Sequence, residues 1–87
     1  MYLTELQIKI YNNLSNRIYL GKDFKIVTKE SIMNFTYSKY DLEWHAFIYD
    51  NTATWKESIK NGWVDLNIFA TDRELKTFLK KLIQENY

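Results

Sequence analysis

Apolar residues recur at spacings of three and four from Leu3 through Leu6, Ile10 and Leu14 to Ile18, the period that lines up one face of a helix. Thr4 and Gln7 stand at capping-box spacing at its start, and Gly21, two residues after Tyr19, offers a left-handed stop. The helix therefore ends somewhere from residue 15 to residue 20. Beyond it the period drops toward two. Phe24 to Thr28 is rich in β-branched and aromatic residues and predicts a short strand, and a Lys-Glu-Ser break follows. Residues 32 to 37 and 42 to 49 then bracket the polar stretch "SKYD", a usual hairpin loop length. A hairpin closed symmetrically on that loop faces Tyr37 with Leu42, Phe35 with Trp44 and Met33 with Ala46 on the core side. The other side pairs Thr36 with Glu43, Asn34 with His45 and Ile32 with Phe47.

Two further helix starts share one signature, Thr54-Trp-Lys-Glu57 and Thr71-Asp-Arg-Glu74. Each threonine hydroxyl is expected to accept from the backbone N–H three residues on, with the glutamate reaching back to the cap. Gly62 stops the first of these helices, and Trp63 opens an alternation of Val64, Leu66, Ile68 and Ala70. The last helix carries Leu75, Phe78, Leu79, Leu82 and Ile83 on one face. The order is α-β-β-β-α-β-α, with the first strand the weakest signal. It implies one α+β domain over residues 1–87, an antiparallel or mixed sheet of three to four strands with helices packed mainly on one face.

Composition narrows the function more by exclusion. The 87 residues include no cysteine and one histidine, His45, so neither a disulfide framework nor an imidazole or thiolate cluster for a transition metal is expected. No cofactor motif is present either: the two glycines lie 41 positions apart, too far for a phosphate loop. Glu43 and His45 share a strand face with Asn34 expected opposite, a polar pair with no identifiable nucleophile. The chain therefore reads as non-enzymatic. Its net charge of +1 lacks the strong basic excess of a dedicated nucleic-acid binder. No stretch reaches transmembrane length, and Glu5 with no basic region before an apolar run does not read as a secretory signal. Lys, Asn, Ile, Tyr and Phe, with the most AT-rich codons, make up 39 of the 87 residues. Together these features suggest the cytoplasm of a low-GC bacterial host, with the protein a monomer or small homo-oligomer.

Aromatic residues are the informative surplus. Three Trp, seven Tyr and five Phe exceed what so small a core holds. The face opposite Phe35 and Trp44 is expected to carry His45, Phe47 and Tyr49 from one strand and Trp63, Asp65, Asn67 and Phe69 from another. Either the first helix covers this face or it is a contact surface. Tyr40 in the turn and Trp55 at a helix start extend the candidate protein-binding set, which is Tyr40, His45, Phe47, Tyr49, Trp55, Trp63 and Phe69. An alternative nucleic-acid surface is the stripe of Arg73, Lys76 and Lys80 with Lys81 on the final helix. Domains that bind double-stranded RNA share a helix, three strands and a basic last helix, but here Asp72 and Glu74 open that helix.

The sequence "IKNGW" at Ile59 to Trp63, with the compact α/β layout, resembles small phage-encoded anti-CRISPR proteins that inhibit Cas9. The resemblance implies an inhibitor of phage or mobile-element origin that blocks a larger host protein, a Cas effector, by stoichiometric binding. Acidic members of that group act as DNA mimics; this chain is near neutral, and no functional residue carries over.

Overall fold

The computed structural model describes residues 2–87. Helix α1 (Glu5–Leu20) starts at Thr4, whose hydroxyl accepts from the Gln7 amide while the Gln7 side chain accepts from the Thr4 amide. Gly21 ends it at φ +65°, a left-handed conformation that costs glycine little. The next strands, β1 (Phe24–Val27), β2 (Ser31–Ser38) and β3 (Glu43–Asp50), pair in sequence, helix α2 (Trp55–Lys60) intervenes, and β4 (Asp65–Phe69) pairs with β3. Helix α3 (Asp72–Asn86) closes the chain. The sheet is an antiparallel meander in the order β1-β2-β3-β4, the α+β architecture and element order read from the sequence.

Both long helices lie on one face. Ile18 of α1 and Leu75, Leu79 and Leu82 of α3 form one cluster with Phe24, Ile26, Phe35, Trp44 and Ala46 of the sheet. One row explains the packing: Phe24 pairs with Phe35, which pairs with Ala46. The small Ala46 leaves room beside Phe35, whose ring stacks on Phe24 at 4.6 Å. Trp44 is buried against Phe24 and Tyr37, and its indole N–H donates to Asp72 Oδ1 at 3.1 Å, as a buried Trp requires. The thinnest extent of the molecule is 18 Å, what a sheet and one layer of helices of about 10 Å diameter occupy.

Four sequence expectations change. The hairpin is shifted by two residues, with Phe35 opposite Ala46 and Tyr37 opposite Trp44. Its loop is residues 39–42, because Ser38 Oγ accepts from the Asp41 amide and donates to its carboxylate, and the Leu42 amide reaches Ser38 O at 2.8 Å. A shift of two preserves every side chain's face. In α1, Gln7 takes the inner position expected of Leu6: Gln7 is buried with Nε2 donating to Ile83 O at 3.4 Å, and Leu6 is 61% exposed. Thr54 and Thr71 do cap their helices, but the glutamates do not return to the cap amides. Glu57 accepts from the Thr54 hydroxyl, and Glu74 accepts from the Ala70 amide. Finally, β4 is turned over, as described below.

Leu42 sits at φ +57°, where a side chain crowds the following carbonyl, and it is exposed. Leu42→Gly is therefore expected to stabilise the domain by about 0.5 to 1 kcal/mol, the relieved strain less the extra entropy of glycine in the unfolded chain. Urea denaturation checks it; a destabilised variant would mean that Leu42 is held by packing.

Candidate protein-binding face

The sheet face away from α1 and α3 presents the alternate residues of each strand. Across it run two rows, Asn34–Phe47–Leu66 and Thr36–His45–Ile68, with Ile32 paired to Tyr49 at one end. Helix α2 is the element that leans on this side: the Trp55 ring stands edge-on to Tyr49 at 5.4 Å and to Phe47 at 6.1 Å. Its capping by Thr54 and its stop at Gly62, φ +69°, fix how far it reaches. Helix α1 does not cover the face, since its buried Ile18 belongs to the cluster on the opposite side and its buried Gln7 bonds Ile83 O of α3.

Beyond α2 the face is apolar and open. Leu66 is 49% and Ile68 53% exposed. Phe47, Trp55, Ile59, Val64 and Leu66 line a hollow of about 350 Å³ with Ser58 beneath it. Strand β4 is also a sheet edge, and its sequence, DLNIF, has none of the lysines or prolines that usually guard an edge against pairing.

The expected site residues divide on this geometry. Phe47 and Trp55 line the hollow, and His45 and Ile68 form the adjoining pair. Tyr49 is on the same face but only 9% exposed, covered by Trp55. Tyr40 is fully exposed at the hairpin tip, and Trp63, 57% exposed, precedes β4. Phe69 is a correction: it pairs with Trp44 and packs on Phe78 at 5.0 Å, on the core side. The physical reason is register. With Phe47 opposite Leu66, the strand's alternation places Leu66 and Ile68 on the open face and Asp65, Asn67 and Phe69 on the helical side. Leu66, Ile68, Ile59 and Val64 were thus missed as surface residues. The available signal was Phe78, an aromatic on the inner face of α3 that needs a partner, with Phe69 the one aromatic in β4.

No family model, curated protein or solved structure matches this chain. Function therefore rests on the residues themselves.

His45 Nε2 lies 3.2 Å from Glu43 Oε1 and 3.8 Å from Asp41 Oδ2, so the pair expected from the sequence is a group of three. The Asp50 carboxyl, at the far end of β3, is held below its ordinary range by hydrogen bonds from the Thr52 amide and then its hydroxyl. On the outer side of the helices, Arg73, Lys76, Thr77 and Lys80 of α3 and Tyr11 of α1 border a shallow hollow of about 500 Å³. Lys81 lies outside it, next to Gln84.

Proposed function

We propose that this chain is a non-enzymatic protein-binding module that inhibits a larger protein by stoichiometric occupation, with the open sheet face and the β4 edge as its contact surface. The observation that carries the reading is the adjoining Leu66 and Ile68, half-exposed beside Phe47 and Trp55 on a face flanked, among the described residues, by a six-residue helix. Burying such side chains against a partner yields roughly 25 cal/mol per Å² of apolar area, and the unpaired edge would let a partner strand add to the sheet. A standard interface takes about 800 Å² from each partner, near one-eighth of the 6397 Å² surface, so the contact would extend from the hollow toward Trp63 and Tyr40. The likeness at Ile59 to Trp63 supports a phage or mobile-element inhibitor acting in the cytoplasm of a bacterial host, and a Cas effector is the first partner to assay.

The second reading, a nucleic-acid surface, is favoured by the Arg73, Lys76 and Lys80 side chains bordering one hollow with Tyr11. Salt separates the two, because phosphate-driven binding falls steeply as salt rises. Binding of purified Cas9 and of duplex RNA is measured by calorimetry at low and high salt for two variants. Ile59→Ser/Leu66→Ser/Ile68→Ser changes only half-exposed side chains and is expected to stay folded by circular dichroism while losing at least tenfold in affinity for the protein. Arg73→Gln/Lys76→Gln/Lys80→Gln is expected to bind it nearly as before. A folded apolar variant that still binds, with a charge variant that does not, would sink the proposal.

A further inference from the structure

The hairpin end of the open face carries a donor set of which the protein-binding reading uses His45 alone. Asp41, in the loop, and Glu43 and His45, on alternate positions of β3, bring two carboxylate oxygens and one imidazole nitrogen within 4.8 Å of one another. We propose that these three side chains form a zinc-class divalent metal site. The proposal stands independently of any protein partner.

The spacing is near that of a small tetrahedral ion's shell. Ligands bound at 2.0–2.1 Å with tetrahedral angles stand about 3.3 Å apart, and the His45 nitrogen lies 3.2 Å and 3.8 Å from its two carboxylate neighbours, with all three donor atoms within 4.8 Å of one another. An ion would replace the His45–Glu43 hydrogen bond and draw the exposed Asp41 carboxylate inward. Charge agrees: two carboxylates and a neutral imidazole carry −2, which a divalent cation cancels. Among the described residues no Lys or Arg lies within ion-pair distance of Asp41 or Glu43; the imidazole is the one basic group that pairs with them. Without a metal, the two acidic groups share a single weak base.

The surroundings also resemble those of ligands held for use. Ser38 Oγ donates at 3.1 Å to Asp41 Oδ2, the oxygen that faces His45, and accepts from the Asp41 amide, which orients the carboxylate as outer partners of metal ligands do. The imidazole and Glu43 side chains are 19% and 25% exposed, and that of Asp41 is 58% exposed, so the ion has a route in from solvent. Three protein ligands leave one position for water or for a donor from another molecule. The nitrogen donor selects zinc and its neighbours over magnesium, which favours an octahedral shell of oxygens.

His45 is the chain's single histidine, so one set of imidazole NMR signals reports the site without assignment ambiguity. The full-length chain, free of any polyhistidine tag, is titrated with zinc chloride in a non-chelating buffer, by calorimetry and by imidazole NMR. The expected result is one zinc per chain, a shift of the His45 ring signals, and no comparable response to magnesium chloride. His45→Ala and Glu43→Gln are each expected to weaken binding by at least about tenfold, and Asp65→Asn, a carboxylate elsewhere on the surface, to leave it unchanged. Should His45→Ala fail to fold, Asp41→Asn at the exposed loop decides the matter, with the same tenfold loss expected. No binding, an unshifted imidazole, equal binding of magnesium, or zinc bound as tightly after Asp41→Asn and His45→Ala would each overturn the site.

Discussion

Trp44→Ala is expected to remove most of the stability of this domain. The side chain is 1% exposed, and its rings contact Phe24 and Tyr37 at centroid distances of 5.7 and 5.5 Å. Truncating a buried aromatic costs about 3 to 5 kcal/mol, against a total of about 5 to 15 kcal/mol for a folded domain, and a chain of 87 residues has little core to spare. Trp44→Phe separates packing from polarity. It keeps a ring in place but loses the indole N–H that donates to Asp72, and should cost less, about 1 to 2 kcal/mol. Urea titrations followed by circular dichroism measure both. A loss below about 1 kcal/mol for the alanine variant would mean that the β2–β3 register or the buried face is wrong.

Leu79→Ala is the second large effect expected. Leu79 is fully buried at the centre of α3, and such a truncation costs about 2 to 5 kcal/mol. Its consequence is not confined to α3. Helix α1 is held largely through α3, by Leu14 and Ile18 in the shared cluster and by the Gln7 bond to Ile83 O. The amides of α1 and α3 should therefore lose hydrogen-exchange protection together, while those of the β2–β3 ladder retain more. Loss from α3 alone would show that α1 has an independent hold on the sheet.

Element order was legible because its signals are local. A threonine cap acts within three residues, as at Thr4, Thr54 and Thr71, and Gly21 and Gly62 mark their helix ends by a backbone angle that other residues adopt at a cost. Register was less legible. A leucine at a left-handed position carries no turn signature, so the placement of Leu42 in the loop could not be read from residue type. Gln7 displaced Leu6 from the inner face of α1 for a similar reason: its side chain is satisfied by Ile83 O, 76 residues away in sequence.

The facing of the candidate residues was legible in β3 and not in β4, and the misplacement of Phe69 has one origin. An edge strand has one neighbour, so its facing follows from pairing with β3 rather than from its own alternation of apolar residues. In β4 both faces offered apolar side chains, Leu66 and Ile68 against Phe69, and hydrophobicity alone did not choose between them. The pairing of Trp44 with Phe69 did. The same limit applied to the Asp41, Glu43 and His45 group. Counting histidines argued against a metal, whereas the convergence of a loop aspartate with two strand residues depends on how the hairpin turns.

The meander has a kinetic consequence. Each strand pairs with the preceding strand in the chain, so the sheet can assemble by closing short loops, the least costly in chain entropy and the fastest to search. One closure is long, the one that brings Gln7 to Ile83. It joins two helices already supplied with their own caps, and it gains contacts only once α3 has a sheet to rest on. The topology therefore divides the folding problem: a rapid zipping of neighbours through the middle of the chain, and a late docking of the first helix whose success depends on everything that formed before it.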